Sequence, residues 1–227
     1  MTENGQQLTF YERCAMTRWG AYLTEVDRKL IVAGLTMAGP PGQALDVGCD
    51  GGRWSKLLTE AGWSVTCTEV NDSTLQVCQA RIPEAQCLLV RETDKTLPCG
   101  ASSMRLVLCI EVWPLVHTDW FLSEISRIVG AGGVLVITCS NQRSWRGLYA
   151  TLRGTDKQYY AGAYTAWKRK LLAYGFSVEQ EEGYAWFPFP LLSESKLIPM
   201  CGKVERLLRL RYLTAISPRI AVIARKL

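Results

Sequence analysis

The chain has 227 residues, 48% of them hydrophobic, which suffices for one core of ordinary size but not for two independent domains. Its formal charge of +5 is spread over mixed segments such as residues 167–170 and 205–211, without the Lys/Arg block of a dedicated nucleic-acid-binding arm. No apolar run reaches the roughly 20 residues a membrane span needs, and the polar start lacks the features of a secretory signal, so the expected compartment is the cytoplasm.

The first predicted element is a helix over about residues 9–35, with Leu23, Val26, Leu30, Ile31 and Leu35 at helical spacings. Tyr11, Trp19 and Tyr22 crowd its beginning, either to pack on a sheet or to act as an aromatic lid. From residue 43 onward, apolar runs of strand length alternate with helical patterns. Strands are expected at 44–49, 63–70, 86–92, 105–112 and 133–140. The helices between them span about 52–61, a segment capped by Ser73 that stops by Pro83, and about 120–129 before a glycine turn at 130–133. Residues 142–164 are aromatic and basic without a strand pattern. A helix closing at Gly175, strands at 177–187 and 218–227, and a helix near 204–210 complete the chain. This alternation is that of an α/β, Rossmann-like three-layer sandwich with a mostly parallel sheet and helices on both faces. The expected organisation is a helical cap (1–42), a cofactor-binding core (43–141), and acceptor-side elements with the final strands of the same domain (142–227).

The nine cysteines contain no C-x-x-C pair, and Cys67, Cys109 and Cys139 lie inside apolar runs. They read as small reduced core residues, and no metal site is expected.

Residues 45–54, LDVGCDGGRW, place a short strand, a carboxylate and a glycine-rich turn before a helix. A dinucleotide fingerprint would put glycines at 48, 50 and 53, but Asp50 and Arg53 occupy the last two. Asp46 and Asp50 flank a turn that would otherwise hold a pyrophosphate, which they would repel. A cationic cofactor suits the turn better. Glu69 ends the second strand, where an acid can bind ribose hydroxyls in either kind of site.

The order of elements, LDVGCDGG, Glu69, residues 97–112 and residues 122–141 resemble the class I S-adenosylmethionine-dependent methyltransferase family. The resemblance runs from about 43 to 141 and more weakly to 227. It implies strand order 3-2-1-4-5-7-6 with the last strand antiparallel, S-adenosyl-L-methionine as cofactor and S-adenosyl-L-homocysteine as product. It also implies cofactor contacts from Asp46, Gly48, Cys49, Asp50, Gly52, Trp54, Glu69, Val70, Thr93, Asp94, Ile110 and Glu111. The family pattern D-x-G-x-G-x-G has become D-V-G-C-D-G-G, so Asp50 stands where a glycine is usual. Asp tolerates left-handed dihedrals better than most residues. The acid expected before the Leu-Pro pair is replaced by Thr93, beside Asp94. Either can meet the adenine amino group, with Asp94 the better acceptor.

Methyl transfer from a sulfonium chiefly needs alignment and exclusion of water. For an acceptor that must lose a proton, His117, the sole histidine, and Glu111 are the candidate bases. In an E-x-x-x-H arrangement counted from Glu111, however, Leu115 holds the histidine position. Aromatic residues cluster in 145–164 and 184–190, after the fifth and sixth strands. Tyr11, Trp19, Trp113, Asn141 and Tyr160 are the acceptor-side candidates. The expected acceptor is a small molecule, aromatic or lipid-like, methylated on an O, N or C atom. Residues 205–213 form an amphipathic helix that either lies on a membrane or acidic surface or presents a solvated face. The alternatives are an RNA or protein methyltransferase and a catalytically silent binding protein. Glu111-Val112-Trp113-Pro114, standing where an Asn-Pro-Pro-Tyr loop would be, argues against the former. Asp50 favours the latter. Either a monomer or a homodimer is compatible with the sequence.

Overall fold

The computed structural model describes residues 8–227 throughout and the backbone of a short antiparallel pair, Thr2–Glu3 with Gln6–Gln7. The expected first helix is two helices, α1 (Phe10–Ala15) and α2 (Arg18–Ala38). They are separated because Thr17 caps α2, its side chain accepting a hydrogen bond from Gly20 N. The second helix then packs so closely on the first that a Cβ on Gly20 would stand 1.8 Å from the carbonyl oxygen of Cys14.

Seven strands follow: β1 (Gln43–Val47), β2 (Ser64–Glu69), β3 (Gln86–Leu89), β4 (Met104–Cys109), β5 (Val129–Ser140), β6 (Phe176–Tyr184) and β7 (Arg219–Lys226). They form one sheet in the order β3-β2-β1-β4-β5-β7-β6, with β7 antiparallel to both neighbours, as the family resemblance implied. Connecting helices are α3 (Arg53–Glu60), α4 (Asp72–Arg81), α5 (Trp113–Val116), α6 (Asp119–Ile128), α7 (Trp145–Arg153), α8 (Tyr164–Ala173) and α9 (Ile198–Leu207). Two buried clusters lie on opposite faces of the sheet. One includes Leu23, Ile31, Trp54 and Leu58, and the other Phe121, Ile125, Trp167 and Leu171, so the central strands β1, β4 and β5 are buried on both sides.

Three expectations shift for physical reasons. Residues 130–133 are not a turn: β5 begins at Val129 and passes through them with a bulge opposite Met104–Leu106. The aromatic segment after β5 contains α7, started by Ser144, whose hydroxyl accepts from Gly147 N. The last helix begins at Ile198, with proline in its first turn, and ends at Leu207; Leu207, Leu208 and Tyr212 are exposed beyond its packed face. No helix among the described residues is long and apolar enough to cross a membrane.

Candidate active site

The carboxyl ends of β1, β2 and β4 open in one direction, and the glycine turn lies between β1 and α3. Gly48 has φ 70°, and its N–H, with that of Cys49, donates to Thr68 O of β2 at 2.8 and 3.1 Å. Gly52 has φ 81° and presses against Cys78, which a Cβ would approach to 2.6 Å. Asp50 adopts φ 49°, so the left-handed conformation usually supplied by glycine is held by an aspartate. Its side chain turns outward to accept from the Thr9 hydroxyl, at the cap of α1. Burial raises the Asp50 pKa, and the Thr9 contact only partly opposes this.

A second link joins the same pieces. Arg81, at the end of α4, pairs with Glu12 of α1 and donates to Gly51 O at 2.5 Å. Burial opposes ionisation of Glu12, but the Arg81 and Thr9 hydrogen bonds, with the charges of Arg81 and Arg53, together outweigh it and hold the carboxyl below its usual range. The first helix is therefore clasped onto the turn at two points.

Glu69 spans the mouth between β2 and the turn. One oxygen accepts from Asp50 N at 2.9 Å, and the other from Val70 N at 2.7 Å and Asn71 N at 3.1 Å. Asp46 does not face this mouth. It is 2% exposed and accepts from Ser55 Oγ at 2.6 Å; burial pushes its carboxyl up to about 7. Through Ser55 it ties β1 to the first turns of α3. Trp54 is likewise buried in the core, with the Arg53 guanidinium 4.3 Å above its ring. Thr93 lies exposed in the loop after β3, and Asp94 folds back to accept from Arg91 N at 2.9 Å. Ile110 is buried just beyond β4, while Val70 is exposed at the mouth.

Across the sheet, Glu111 has φ 61° and donates from its N–H to Thr138 Oγ1 at 2.7 Å. Its carboxylate pairs with Arg219, at the start of β7, at 2.5 Å. The Arg219 guanidinium lies 4.9 Å from the Trp113 ring, itself 6.0 Å from Tyr159. Asp27 of α2 and Tyr184 of β6 close the floor, 1% and 2% exposed. Burial and Glu111 raise the Asp27 pKa, and burial with Asp27 raises that of Tyr184. Arg146 of α7 donates to Phe187 O, and desolvation pulls its pKa down while Tyr160 opposes this. Asp27 Oδ1, Tyr184 OH, Arg146 Nε and Trp186 Nε1 are buried with no hydrogen-bond partner among the described residues. Tyr11 of α1 faces both regions: its pKa is raised by burial first and then by Asp50, Glu111 and Glu69.

Two open cavities lie beside these groups rather than among them. One, of about 690 Å³, is lined by Thr9, Arg13, Asn71, Ser73 and Arg81, and the other, of about 280 Å³, lies against Thr151, Asp156 and Tyr160.

Residues 45–137 match the family model described as a methyltransferase domain. That match falls on a sheet of the strand order that the sequence resemblance implied. No curated protein sequence matches it significantly. Among solved structures, a geranyl diphosphate methyltransferase in complex with geranyl diphosphate and sinefungin superposes with TM-score 0.66 at 14% identity, over 90% of this chain and 78% of the other. An S-adenosylmethionine-dependent methyltransferase from Mesorhizobium loti superposes with TM-score 0.61 at 14% identity, over 94% and 100%. A [4+2]-cyclase superposes with TM-score 0.62 at 17% identity, over 89% and 81%. At these identities the likeness is one of fold.

Of the acceptor-side candidates, Trp113 lies against Arg219, Tyr11 near Asp50 and Glu111, and Tyr160 beside Arg146, whereas two others are occupied elsewhere. Trp19 is buried, stacked on Tyr22 at 4.9 Å and packed against Phe189. Asn141 is fully buried and holds Ala215 O, Arg143 N and Tyr164 N. His117, a candidate base in the sequence, is held against the end of β5. Its Nε2 meets Ser140 O at 3.0 Å and its Nδ1 edge is covered by Gly162, so neither ring nitrogen is free for a substrate. Burial lowers its pKa. Sequence reasoning missed Arg219, Asp27 and Arg146. Asp27 had a signal, as the one acid on the helix face formed by Leu23, Leu30 and Ile31.

Proposed function

We propose that this S-adenosylmethionine-dependent methyltransferase methylates a small polar acceptor bound between Glu111, Arg219, Asp27, Tyr184 and Arg146. The observation that carries the reading is the set of buried polar atoms without partners in that chamber. A buried donor or acceptor left unpaired costs about 1–3 kcal/mol, and a ligand that supplies the missing partners recovers it. Both signs are present, with Arg146 Nε and Trp186 Nε1 as donors and Asp27 Oδ1 as an acceptor, so the fitting ligand has acceptors and donors around an apolar body. The surrounding rings of Tyr11, Trp113, Tyr159 and Tyr160 favour a flat or aromatic body over an extended chain. Enclosure by α1 and the segment around α7 favours a small acceptor over RNA or protein.

The residues present suit the cofactor. Asp50, Glu69 and Glu111 all act on the Tyr11 hydroxyl, which marks a negative mouth suited to a sulfonium and an ammonium. S-adenosylmethionine supplies an electrophilic methyl group when bound. Glu69 would hold the ribose hydroxyls by exchanging backbone N–H donors for them, and the turn at Gly48 and Gly52 would let the backbone approach. The part played by the chain is alignment and exclusion of water, with Tyr11 and Trp113 closing the mouth. Where the acceptor must lose a proton, Asp27 is the buried carboxylate placed to receive it, in preference to His117.

Calorimetry with S-adenosylhomocysteine and a labelled-methyl screen of a metabolite extract test the proposal. Saturable binding with a labelled product below about 1 kDa is expected. Label only in protein or RNA overturns the small-acceptor reading, and absence of binding at millimolar ligand overturns the reaction itself.

A further inference from the structure

Four of the nine cysteines converge behind the glycine turn, although the proposed reaction uses none of them. Cys49 comes from the turn, Cys67 from β2, Cys78 from α4 and Cys87 from β3. The Sγ atoms of Cys49, Cys67 and Cys78 lie within 4.8 Å of one another and all three residues are buried. Cys87 Sγ, half-buried near the sheet edge, stands 3.8 Å from Cys78 Sγ. We infer that these thiols form a binding site for a thiophilic d10 cation, with Zn2+ as the reference case, ligated by Cys49, Cys67 and Cys78 with Cys87 as the fourth donor.

Tetrahedral zinc–thiolate bonds of about 2.3 Å place sulfur atoms about 3.8 Å apart. The Cys78–Cys87 pair already has that separation, closure by at most about 1 Å brings Cys49, Cys67 and Cys78 to it, and Cys87 joins them by a larger side-chain movement, since it lies beyond that range of at least one of the three. The donors are all sulfur, which selects soft and borderline cations over Mg2+ or Ca2+. They come from four different elements fixed by the fold, so little ordering remains to oppose binding. Ser55 Oγ, 3.2 Å from Cys67 Sγ, gives that sulfur a polar neighbour. Small-residue packing accounts for each cysteine singly but does not bring so many sulfurs into one volume. Cys109 and Cys139, equally buried on β4 and β5, belong to no such group among the described residues. Each thiol that ligates releases its proton to solvent as the sulfur–metal bond forms, so loading is accompanied by proton release.

The test uses the full chain, reduced, stripped with a chelator and titrated with Co2+. Thiolate-to-cobalt charge-transfer bands and the strong red-region bands of tetrahedral cobalt are expected, bleached by one equivalent of Zn2+. Cys67→Ser with Cys78→Ser should abolish these bands, while Cys201→Ser, on α9, should leave them unchanged. Bands that survive the double substitution overturn the inference. So does a pale octahedral spectrum from the unmodified chain, which decides the matter even if the substituted chain does not fold.

Discussion

At the glycine turn, Glu69 gives both oxygens to the N–H groups of Asp50, Val70 and Asn71, and Ser55 serves Asp46. Across the sheet, Asp27 Oδ1, Tyr184 OH, Arg146 Nε and Trp186 Nε1 are equally shut away from solvent and serve nothing. The first region is complete before any ligand arrives, because its partners are backbone groups a few residues away or on the neighbouring strand. The second joins side chains from α2, α7, β6 and the loop after β6, and no other side chain or backbone group among the described residues meets them. A cofactor common to a whole family can be met by local backbone geometry, whereas an acceptor peculiar to one enzyme has to be met by side chains gathered from afar.

Four substitutions probe this contrast, in descending order of effect. Arg219→Met removes the partner of Glu111 and leaves a poorly solvated carboxylate at the centre of the chamber. Removing one member of a buried pair costs about 3–5 kcal/mol, reduced here because both side chains retain some exposure. Urea denaturation should show much of that loss, with turnover abolished. Unchanged turnover would break the assignment of the chamber. Glu69→Ala should weaken S-adenosylhomocysteine about 10- to 100-fold in calorimetry, as charged hydrogen bonds are worth about 1.5–3 kcal/mol each. The same substitution should leave acceptor affinity nearly unaltered. Tyr184→Phe removes a buried hydroxyl that has no partner, so the ligand-free protein should gain about 1 kcal/mol. Acceptor KM should rise, and a loss of stability would mean that the hydroxyl is already satisfied. His117→Gln should leave kcat nearly intact and change the pH profile of stability. Because burial lowers the folded-state pKa of His117, the unfolded chain binds more protons just below 6.5. Stability should therefore fall as pH drops through 6.5 in the parent and fall less in the variant.

The sheet was readable from sequence because β1, β4 and β5 are buried on both faces and appear as continuous apolar runs, in an order that a short family motif identified. The glycine turn was readable for a related reason: Gly48 and Gly52 lie within one short motif, and Glu69 ends the strand beside it. Periodicity could not show that Asp46 points inward to Ser55, nor that His117 is covered by Gly162, since both depend on which neighbour fills the space. Arg219 pairs with a residue 108 positions away, and nothing near residue 219 announces Glu111. The cysteines illustrate the same limit. Their spacing suggests no common site, yet β2, β3, α4 and the turn bring four of them together.

The two contacts that fasten α1 to the turn, Thr9 with Asp50 and Glu12 with Arg81, have a consequence for timing. Anything that lifts α1 must break both together. If product leaves by that route, a first turnover can run ahead of the steady rate, so rapid-quench experiments should show a burst whose amplitude counts active chains. The aspartate that departs from the family's glycine pattern would then set how long the enzyme rests between cycles.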